Sequence, residues 1–389
     1  MNKKPIVLDV ETTIFQNGNP YSNRNRLCLV GIRYGGRNFI WDIEYGLEPY
    51  ADKLVEIQAV LSRASLDNAL LCGFNCKFDL GWLKRYGIQI PKMELWDCQL
   101  AHFIQVNQSQ SYPDLDGTLK FHGLPGKSDV VEREYWSKGI DTPEIPPEVL
   151  LAYLEGDLEG TEALYAAQIQ VIPRTKRSLL KLHNQDLLVL LDMEFNGLLF
   201  DFDTIQIESE RTKSRIKELE SELSEYTGNW PHFNFDSGSH LSCLIYGGTI
   251  TAKIAVPYEH TYKTGTLRGT TATRHKHIIE NKTYSRLCAP LQRTELKKAG
   301  LWSTDEQILR QLKGNKRLIN LLLERSELVK LVETYYEGIK TKYEEMDWTD
   351  NIVHGQFNQV VARTGRLSSS NPNLQNMPEI INQYIISRF

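Results

Sequence analysis

Strand and helix patterns alternate over roughly the first 175 residues, and this alternation limits the possible folds more than any other feature of the sequence. Short apolar runs bounded by turn residues predict strands at Pro5–Val10, Leu27–Arg33, Arg37–Ile43 and Ala69–Gly73. Helical periodicity follows near residues 49–62, 78–86, 97–105 and 147–171. The alternation predicts a mixed α/β domain over residues 1–175.

The pattern changes after residue 175. Helical periodicity predicts helices at 176–195, 203–226 and 315–344, and Asn196-Gly197 is a turn signal between the first two. Residues 351–389 return to strand and turn character. We therefore divide the chain into an α/β domain at 1–175, a mostly α-helical region at 176–348 and a third region at 349–389.

Charge and composition narrow the functional classes. The chain has 45 Lys and Arg against 49 Asp and Glu, which excludes a uniformly basic coat for nucleic acid but not a local basic surface. Residues 249–300 could form a local basic surface. They contain ten Lys and Arg against three Glu, which gives the segment a charge of +7. No apolar run approaches the roughly 18 residues of a membrane span. The N-terminal residues do not have the pattern of a signal peptide. The six cysteines are a low count, which is typical of reduced thiols in a reducing compartment. We expect a protein of the cytoplasm of a bacterial host cell, without a membrane partner.

Three acidic patterns follow one another in the first domain. Asp9-Val10-Glu11 ends the first predicted strand, where residues i and i+2 point to the same face. Asn75-Cys76-Lys77-Phe78-Asp79 follows a strand and opens a helix, and Tyr153 and Asp157 share one face of a helix. Each pattern alone is typical of a surface pair, a helix N-cap or an ordinary helix surface. Their order and spacing together favour a common site.

Converging carboxylates repel one another unless cations neutralise them. Carboxylate oxygens suit Mg²⁺ or Mn²⁺, and two such ions can clamp the attacking and leaving oxygens of a phosphoryl displacement. The patterns therefore predict a site for two divalent metal ions whose ligands are Asp9, Glu11, Asp79 and Asp157.

These patterns resemble the motifs of the proofreading 3′–5′ exonucleases, which have a ribonuclease H-like fold, and the third pattern resembles that of the family A DNA polymerases. The resemblance implies that Asp9 bridges both ions, that Glu11 and Asp157 complete one ion site, and that Asp79 supports the other. Tyr153 would orient the attacking water as a fifth catalytic residue. Asn75 and Phe78 would bind the single-stranded 3′ end of DNA, Phe78 by stacking. Asp97 also lies where the family has an acid, and we interpret it as the N-cap of the next helix.

A second string of residues, Thr364-Gly365-Arg366-Leu367-Ser368-Ser369-Ser370-Asn371-Pro372-Asn373-Leu374-Gln375-Asn376-Met377-Pro378, has the composition of a polar connector. Its Arg, Asn and Gln side chains also suit the acceptors that every base pair presents in the minor groove. The string resembles the signature that precedes the catalytic palm strand of family A DNA polymerases. The resemblance implies a thumb at 176–348, the start of an α+β palm at 349–389, and contacts to primer-template duplex DNA by Arg325, Lys330, Arg363, Arg366, Asn373, Gln375 and Asn376.

The resemblance as a whole implies the exonuclease and thumb portion of a phage-type family A DNA polymerase. The later palm and fingers motifs of that family are missing from the sequence, so we expect no polymerisation by this chain alone. A natural split, with a second polypeptide that carries palm and fingers, and a truncated product both remain open. The basic segment 249–300 has three interpretations: a grip on duplex phosphates, a site for a processivity factor, or a solvated insertion. The rival functions are a non-catalytic DNA-binding assembly subunit and a free-standing 3′–5′ exonuclease that trims RNA.

Overall fold

The computed structural model describes residues 3–45, 49–266 and 268–388. Contacts divide the chain into two compact units, one formed by the residues up to Thr204 together with those from Ile339 onward, and one formed by Ile205–Gly338. None of the helices in the described part of the chain combines the length and the apolar character that a membrane crossing needs.

The strands and helices have the following bounds. The strands are β1 Pro5–Thr12, β2 Leu27–Tyr34, β3 Arg37–Asp42, β4 Leu70–Gly73, β5 Glu94–Asp97, β6 Leu198–Phe200, β7 Gly248–Thr261, β8 Thr271–Tyr284, β9 Ile352–Val353, β10 Gln356–Asn358, β11 Ser368–Ser370 and β12 Ile385–Ile386. The helices are α1 Ala51–Leu66, α2 Cys76–Arg85, α3 Cys98–Gln105, α4 Leu115–Phe121, α5 Val130–Glu134, α6 Pro147–Val171, α7 Arg174–Asn196, α8 Phe202–Thr227, α9 Gly238–Tyr246, α10 Glu306–Leu309, α11 Lys316–Lys330, α12 Glu337–Glu345 and α13 Glu379–Asn382.

A mixed five-stranded sheet forms the centre of the first unit, with the strand order β3-β2-β1-β4-β5. β1 pairs antiparallel with β2 and parallel with β4, so it lies in the middle of the sheet. Its apolar residues Ile6, Val7 and Leu8 are buried in the core of the unit, where α2 and α6 pack against this strand. The four predicted strands and the four predicted helices of this region are confirmed to within a few residues. The short elements β5, α4 and α5 were not predicted.

Helix α7 packs into the core of the first unit rather than into the second. Its residues Leu180, Leu187 and Leu191 are buried in the same apolar cluster as β1. The contacts therefore assign α7 to the first unit, whereas the sequence patterns placed a boundary at residue 175. The apolar face of a helix shows that the helix is buried on one side, but not which apolar core it packs against.

The segment from Ile352 onward also packs in the first unit. β6 pairs with β9 and β12 in a small antiparallel sheet, and Val360 lies in the main apolar cluster. Gly197 makes the turn into β6 with a φ of 61°, and a Cβ there would lie 2.5 Å from Ile352 Cγ2. Only glycine combines that backbone angle with so close an approach.

The second unit is a helical core that carries a long β-ribbon. Leu219, Leu223, Leu244 and Ile245 are among the residues that fill the core. The predicted helix at 315–344 is interrupted, since a π-helical segment, Leu331–Tyr336, separates α11 from α12. β7 and β8, for which the sequence predicted no element, pair antiparallel over 14 residues each.

Candidate active site

The central strand β1 positions the first two predicted ligands. Asp9 and Glu11 are two residues apart, so their side chains leave the same face of the sheet. Glu11 is buried and Asp9 is half-buried at the end of the strand. In the ladder, Asp9 lies opposite Gly31 of β2.

Helix α6 brings the third carboxylate because Gly31 leaves room for it. A Cβ on Gly31 would lie 2.9 Å from Leu158 Cδ1 and 3.0 Å from Leu154 Cγ, so α6 rests where a larger side chain would stand. Asp157 faces β1, since its carboxylate lies within 4.8 Å of those of Asp9 and Glu11. It is 6% exposed, and Tyr153 is one helical turn before it.

Carboxylate oxygens of Asp9, Glu11 and Asp157 all lie within 4.8 Å of one another. Three oxygens at such separations could hold a divalent metal ion, since hard cations prefer carboxylate ligands. The prediction that these residues converge is thus consistent with the geometry.

Asp79 takes a different place from the other three acids. Its Oδ1 accepts a hydrogen bond of 3.1 Å from Val10 N, at a point where β4 has already ended and leaves that N–H without a strand partner. Asp79 is 2% exposed and is not one of the three mutually close carboxylates. It adjoins Asp9, so it could support a second cation only from the neighbouring side.

Burial raises the pKa of every acid in this group, and repulsion from other acids of the group raises it further for Asp9, Glu11 and Asp79. Burial and the charge of Asp157 raise the pKa of Asp9 to about 8, although Lys127 opposes the shift. Burial raises the pKa of Glu11 well above its usual range, followed by the charges of Asp9 and Asp157. Burial raises the pKa of Asp157 and, with Asp9, that of Asp79. Bare carboxylates at such positions favour protons or cations.

Lys127 supplies a positive charge that the sequence did not reveal. Its Nζ lies 2.9 Å from Asp157 Oδ2, 3.9 Å from Glu132 Oε1 and 4.4 Å from the centroid of the Tyr153 ring. Burial alone would lower the pKa of Lys127, but Asp157, Asp9 and Glu11 raise it above its usual value. The ammonium group therefore stays charged beside the carboxylates.

The hydroxyl group of Tyr153 is buried and makes no hydrogen bond to any described residue. Its ring packs edge-on against Trp136, with the centroids 5.7 Å apart. Burial and the nearby Glu11 charge raise the pKa of Tyr153. The hydroxyl group therefore stays protonated and can donate a hydrogen bond. A buried donor without a partner is costly, which fits a position that water or substrate oxygen completes.

Two cavities share the Phe78 side chain, and one of them contains the clustered carboxylates. The first, of about 480 Å³, is lined by the three clustered acids together with Phe78, Lys127, Glu132, Trp136 and Tyr153. The second, of about 320 Å³, is lined by Asn75, Gln99, Tyr112 and Gln356–Val360 among others. Asn17 and Phe78 line both cavities, so the half-buried Phe78 ring stands where they meet.

Two residues near α2 were assigned from the sequence. Asn75 precedes α2 with a φ of 64°, but its exposed side chain makes no capping hydrogen bond. Asp97 is confirmed as the N-cap of α3, because it accepts hydrogen bonds from the backbone N–H groups of Gln99 and Leu100. It also accepts one of 2.7 Å from Cys76 N, which fixes the start of α2.

Five of the residues expected to contact duplex DNA belong to the signature string and its flank in the first unit. Their side chains do not line the first cavity. Those of the signature string and its flank are exposed, and Asn373 caps the turn Leu374–Asn376; they are Arg363, Arg366, Asn373, Gln375 and Asn376.

Arg325 and Lys330, the two predicted phosphate contacts of the second unit, differ in exposure. Lys330 is exposed, whereas Arg325 is buried and pairs with Glu220 at 2.8 Å and Asp236 at 2.9 Å. Its guanidinium group also lies over the Phe235 ring. A phosphate contact by Arg325 would compete with these two ion pairs, and the contact stays a prediction.

Sequence reasoning missed Lys127, Glu132 and Trp136 in the first cavity. They belong to a loop, a five-residue helix and a single turn between the second and third acidic patterns. Residues in loops and single turns follow no helix or strand periodicity, so the sequence pattern could not place them in the site. The one indication in the sequence was Gly126-Lys127, a basic residue beside a glycine in a loop between the two acidic patterns.

The mixed α/β fold of this chain has a counterpart among solved structures of DNA polymerases. One solved structure, the POL domain of Pol1 from M. smegmatis in complex with DNA primer-template and dNTP, matches 97% of this chain with a TM-score of 0.64 and 16% identity. The chain covers 52% of that structure. The structure therefore resembles part of a DNA polymerase I polymerase domain in its mixed α/β fold.

The sequence comparisons agree with the fold. Residues 275–387 match the model of DNA polymerase family A. DNA polymerase I of Bacillus subtilis is 26% identical over 78% of this chain, and that of Pseudomonas aeruginosa is 23% identical over 86%. The thermostable DNA polymerase I of Thermus filiformis is 40% identical over 23% of it. The chain spans 29% of the Bacillus protein and 32% of the Pseudomonas protein. This protein is therefore related to the family A DNA polymerases.

Proposed function

We propose that the first unit is a ribonuclease H-like 3′–5′ exonuclease that hydrolyses the terminal phosphodiester bond of a DNA strand. The observation that carries this proposal is the convergence of Asp9, Glu11 and Asp157 within 4.8 Å in one cavity. The hydroxyl group of Tyr153, which has no hydrogen-bond partner among the described residues, lies in the same cavity and supports it.

The metal ligands would be Asp9, Glu11 and Asp157, with Asp79 on the adjoining side. Divalent ions held there would lower the pKa of a water molecule and stabilise the leaving oxygen. Tyr153 donates a hydrogen bond to the attacking water or to a phosphate oxygen and so orients it. Val10 N holds Asp79 in place through the 3.1 Å hydrogen bond.

The 3′-terminal nucleotide would enter through the joined cavities. Phe78 stands at their junction and offers a ring for base stacking, which does not depend on sequence. Asn75 and Gln356 line the second cavity and can contact the strand that follows. The strand would be bound single-stranded, as a frayed 3′ end.

The direct test is degradation of a 5′-labelled single strand with Mg²⁺. We expect stepwise shortening from the 3′ end by the unmodified chain and none by Asp9→Ala/Glu11→Ala. Glu155→Ala is the matched control, because Glu155 is an exposed acid on α6 between Tyr153 and Asp157. Shortening by the double variant, or none by the unmodified chain, would overturn the proposal. Faster trimming of RNA than of DNA would favour the free-standing RNA exonuclease, and binding without hydrolysis would favour the assembly subunit.

The ribbon of the second unit supports a second proposal, contact with duplex phosphates. Directly paired residues share a face of a two-stranded ribbon. One face presents Arg274, Lys276 and Lys282, and we name it the cationic face. The same face also carries one acid, Glu280, whose Oε1 accepts a hydrogen bond of 2.5 Å from Trp230 Nε1. Lys253 lies on the opposite face. Positive side chains spaced along one face suit a phosphate backbone.

Other predicted partners stay predictions. A processivity factor would be found as a protein that protects residues 249–300, and a second polypeptide with palm and fingers would co-purify with this chain and confer primer extension. The phage-type character likewise awaits a test of those partners.

A further inference from the structure

Lys127 is held in the candidate active site from two directions. Its Nζ contacts Asp157 Oδ2 at 2.9 Å and lies over the Tyr153 ring, and its side chain is 19% exposed. Its backbone N–H donates a hydrogen bond of 2.9 Å to Asp116 Oδ1 on α4. The loop thus fixes the start of the side chain, while Asp157 fixes its end.

The docking of this loop requires the neighbouring glycine. A Cβ on Gly126 would lie 2.5 Å from Asp116 Oδ1 and 2.8 Å from Lys120 Cε. Asp116 also pairs with Lys120 on the next turn of α4. The loop therefore packs closely against α4. This packing fixes the backbone position from which the Lys127 side chain reaches the carboxylates.

We infer that Lys127 is a resident counter-ion, which neutralises the carboxylate cluster in the metal-free protein and releases Asp157 when a divalent cation binds. The inference rests on the proposed function, since it concerns the same three carboxylates. Asp157 offers Oδ2 to the ammonium group now, and the same carboxylate is needed beside Asp9 and Glu11. A monovalent ammonium and a divalent ion at one carboxylate repel each other, so binding of the divalent ion favours release of Lys127.

The released ammonium group would remain in the cavity. Glu132 is 3.9 Å away and offers an alternative partner at the cavity wall. Lys127 is thus a positioning residue that exchanges partners while the acids exchange cations. The alternative is a fixed strut, in which Lys127 holds Asp157 in its orientation in both states.

Chemical labelling of lysines distinguishes the two. The full chain is methylated reductively with limiting reagent, with and without saturating Mg²⁺ and without DNA, and each lysine is quantified by mass spectrometry. We expect Lys127 labelling to rise about threefold or more with Mg²⁺, because its ammonium group loses the Asp157 contact. Lys120, whose side chain is 64% exposed, is the internal control and should not change. Unchanged Lys127 labelling under Mg²⁺ that calorimetry shows to be bound would overturn the inference.

Metal affinity gives a second test with opposite signs. Lys127→Met should bind Mg²⁺ about tenfold more tightly than the unmodified chain, while Lys120→Met should bind it equally. A strut predicts weaker binding by Lys127→Met, and that result would overturn the counter-ion. If Lys127→Met does not fold, the labelling result decides alone. Failure of the unmodified chain to bind Mg²⁺ would overturn the proposed function as well, whereas tight binding with an unmoved Lys127 overturns only this inference.

Discussion

Gly31 lies directly opposite Asp9 in the β1–β2 ladder, and helix α6 occupies the space that a side chain on Gly31 would need. The distance between the strand carboxylates and Asp157 is thus determined by a residue that carries no chemistry. Glycine is required here for close approach, since its backbone angle is ordinary.

Enlarging Gly31 should separate the acids. We expect Gly31→Val to lower the nuclease rate by at least about 100-fold, because a displacement of about 1 Å is enough for such a loss. It should also destabilise the protein by about 1–3 kcal/mol through overpacking. Chemical denaturation and the labelled-strand assay measure the two effects. Gly156→Ala on α6 is the control, since a Cβ there meets no atom within 4 Å. It should be neutral or slightly stabilising, and full activity of Gly31→Val would contradict the prediction.

A buried ion pair fixes the start of α2. Glu194 on α7 accepts from Lys77 Nζ at 2.5 Å and from Phe357 N at 2.6 Å, and its side chain is 5% exposed. We expect Glu194→Ala to cost about 3–5 kcal/mol, because it leaves the Lys77 charge buried without a partner.

The matched exposed pair on the same two helices is Lys84 with Asp192, whose side chain is 65% exposed. Asp192→Ala should cost less than about 1 kcal/mol. Urea titration of both variants checks the contrast. Equal losses would mean that burial does not decide the energetics of these pairs. Because Lys77 precedes Phe78 and Asp79, Glu194→Gln should also slow hydrolysis while folding normally.

The stability of the metal-free protein should depend on pH through the carboxylates. The pKa of Asp9 is raised from its ordinary 3.8 to about 8, so between these values the folded chain keeps a proton that the unfolded chain has lost. Stability is therefore greatest at the acid end of this interval and falls as pH rises to about 8. Thermal unfolding in a chelator at pH 5–8 measures the decline.

Asp9→Asn should flatten this dependence, and Glu155→Gln should leave it unchanged. Mg²⁺ should restore most stability at pH 8, where the carboxylates are ionised. A metal-free protein whose stability rises steadily from pH 5 to 8 would show that these acids are already ionised in the folded state.

The two faces of the ribbon should differ in their effect on DNA binding. We expect Lys276→Ala, on the cationic face, to weaken duplex binding and to reduce the slope of log K against log salt by about 0.9. Lys253→Ala, on the opposite face, changes the net charge equally and should leave the slope unchanged. Fluorescence anisotropy over a range of salt concentrations gives both slopes. Equal effects of the two substitutions would mean that the ribbon acts only through its total charge.

The sequence by itself determined the elements that carry the site. Asp9 and Glu11 share a face because strand residues alternate, and Tyr153 and Asp157 share a face because helix residues three and four apart are neighbours. These local periodicities also predicted β1, β2 and α6 closely. The capping role of Asp97 was equally readable, since a cap involves only the next few residues.

Only the tertiary structure decided which distant groups meet. Nothing local in the sequence indicates that Lys127 pairs with Asp157, that Glu194 pairs with Lys77, or that Arg325 is enclosed by Glu220 and Asp236. The β7–β8 ribbon could not be predicted from the sequence either. Apolar and charged residues share one face of the ribbon, and most of its residues are exposed, so neither face is clearly apolar. Periodicity records which face of an element is buried, whereas the partner across that face depends on packing between segments far apart in the chain. The faces on which these carboxylates lie were therefore predictable from the sequence, and the pairing of Lys127 with Asp157 was not.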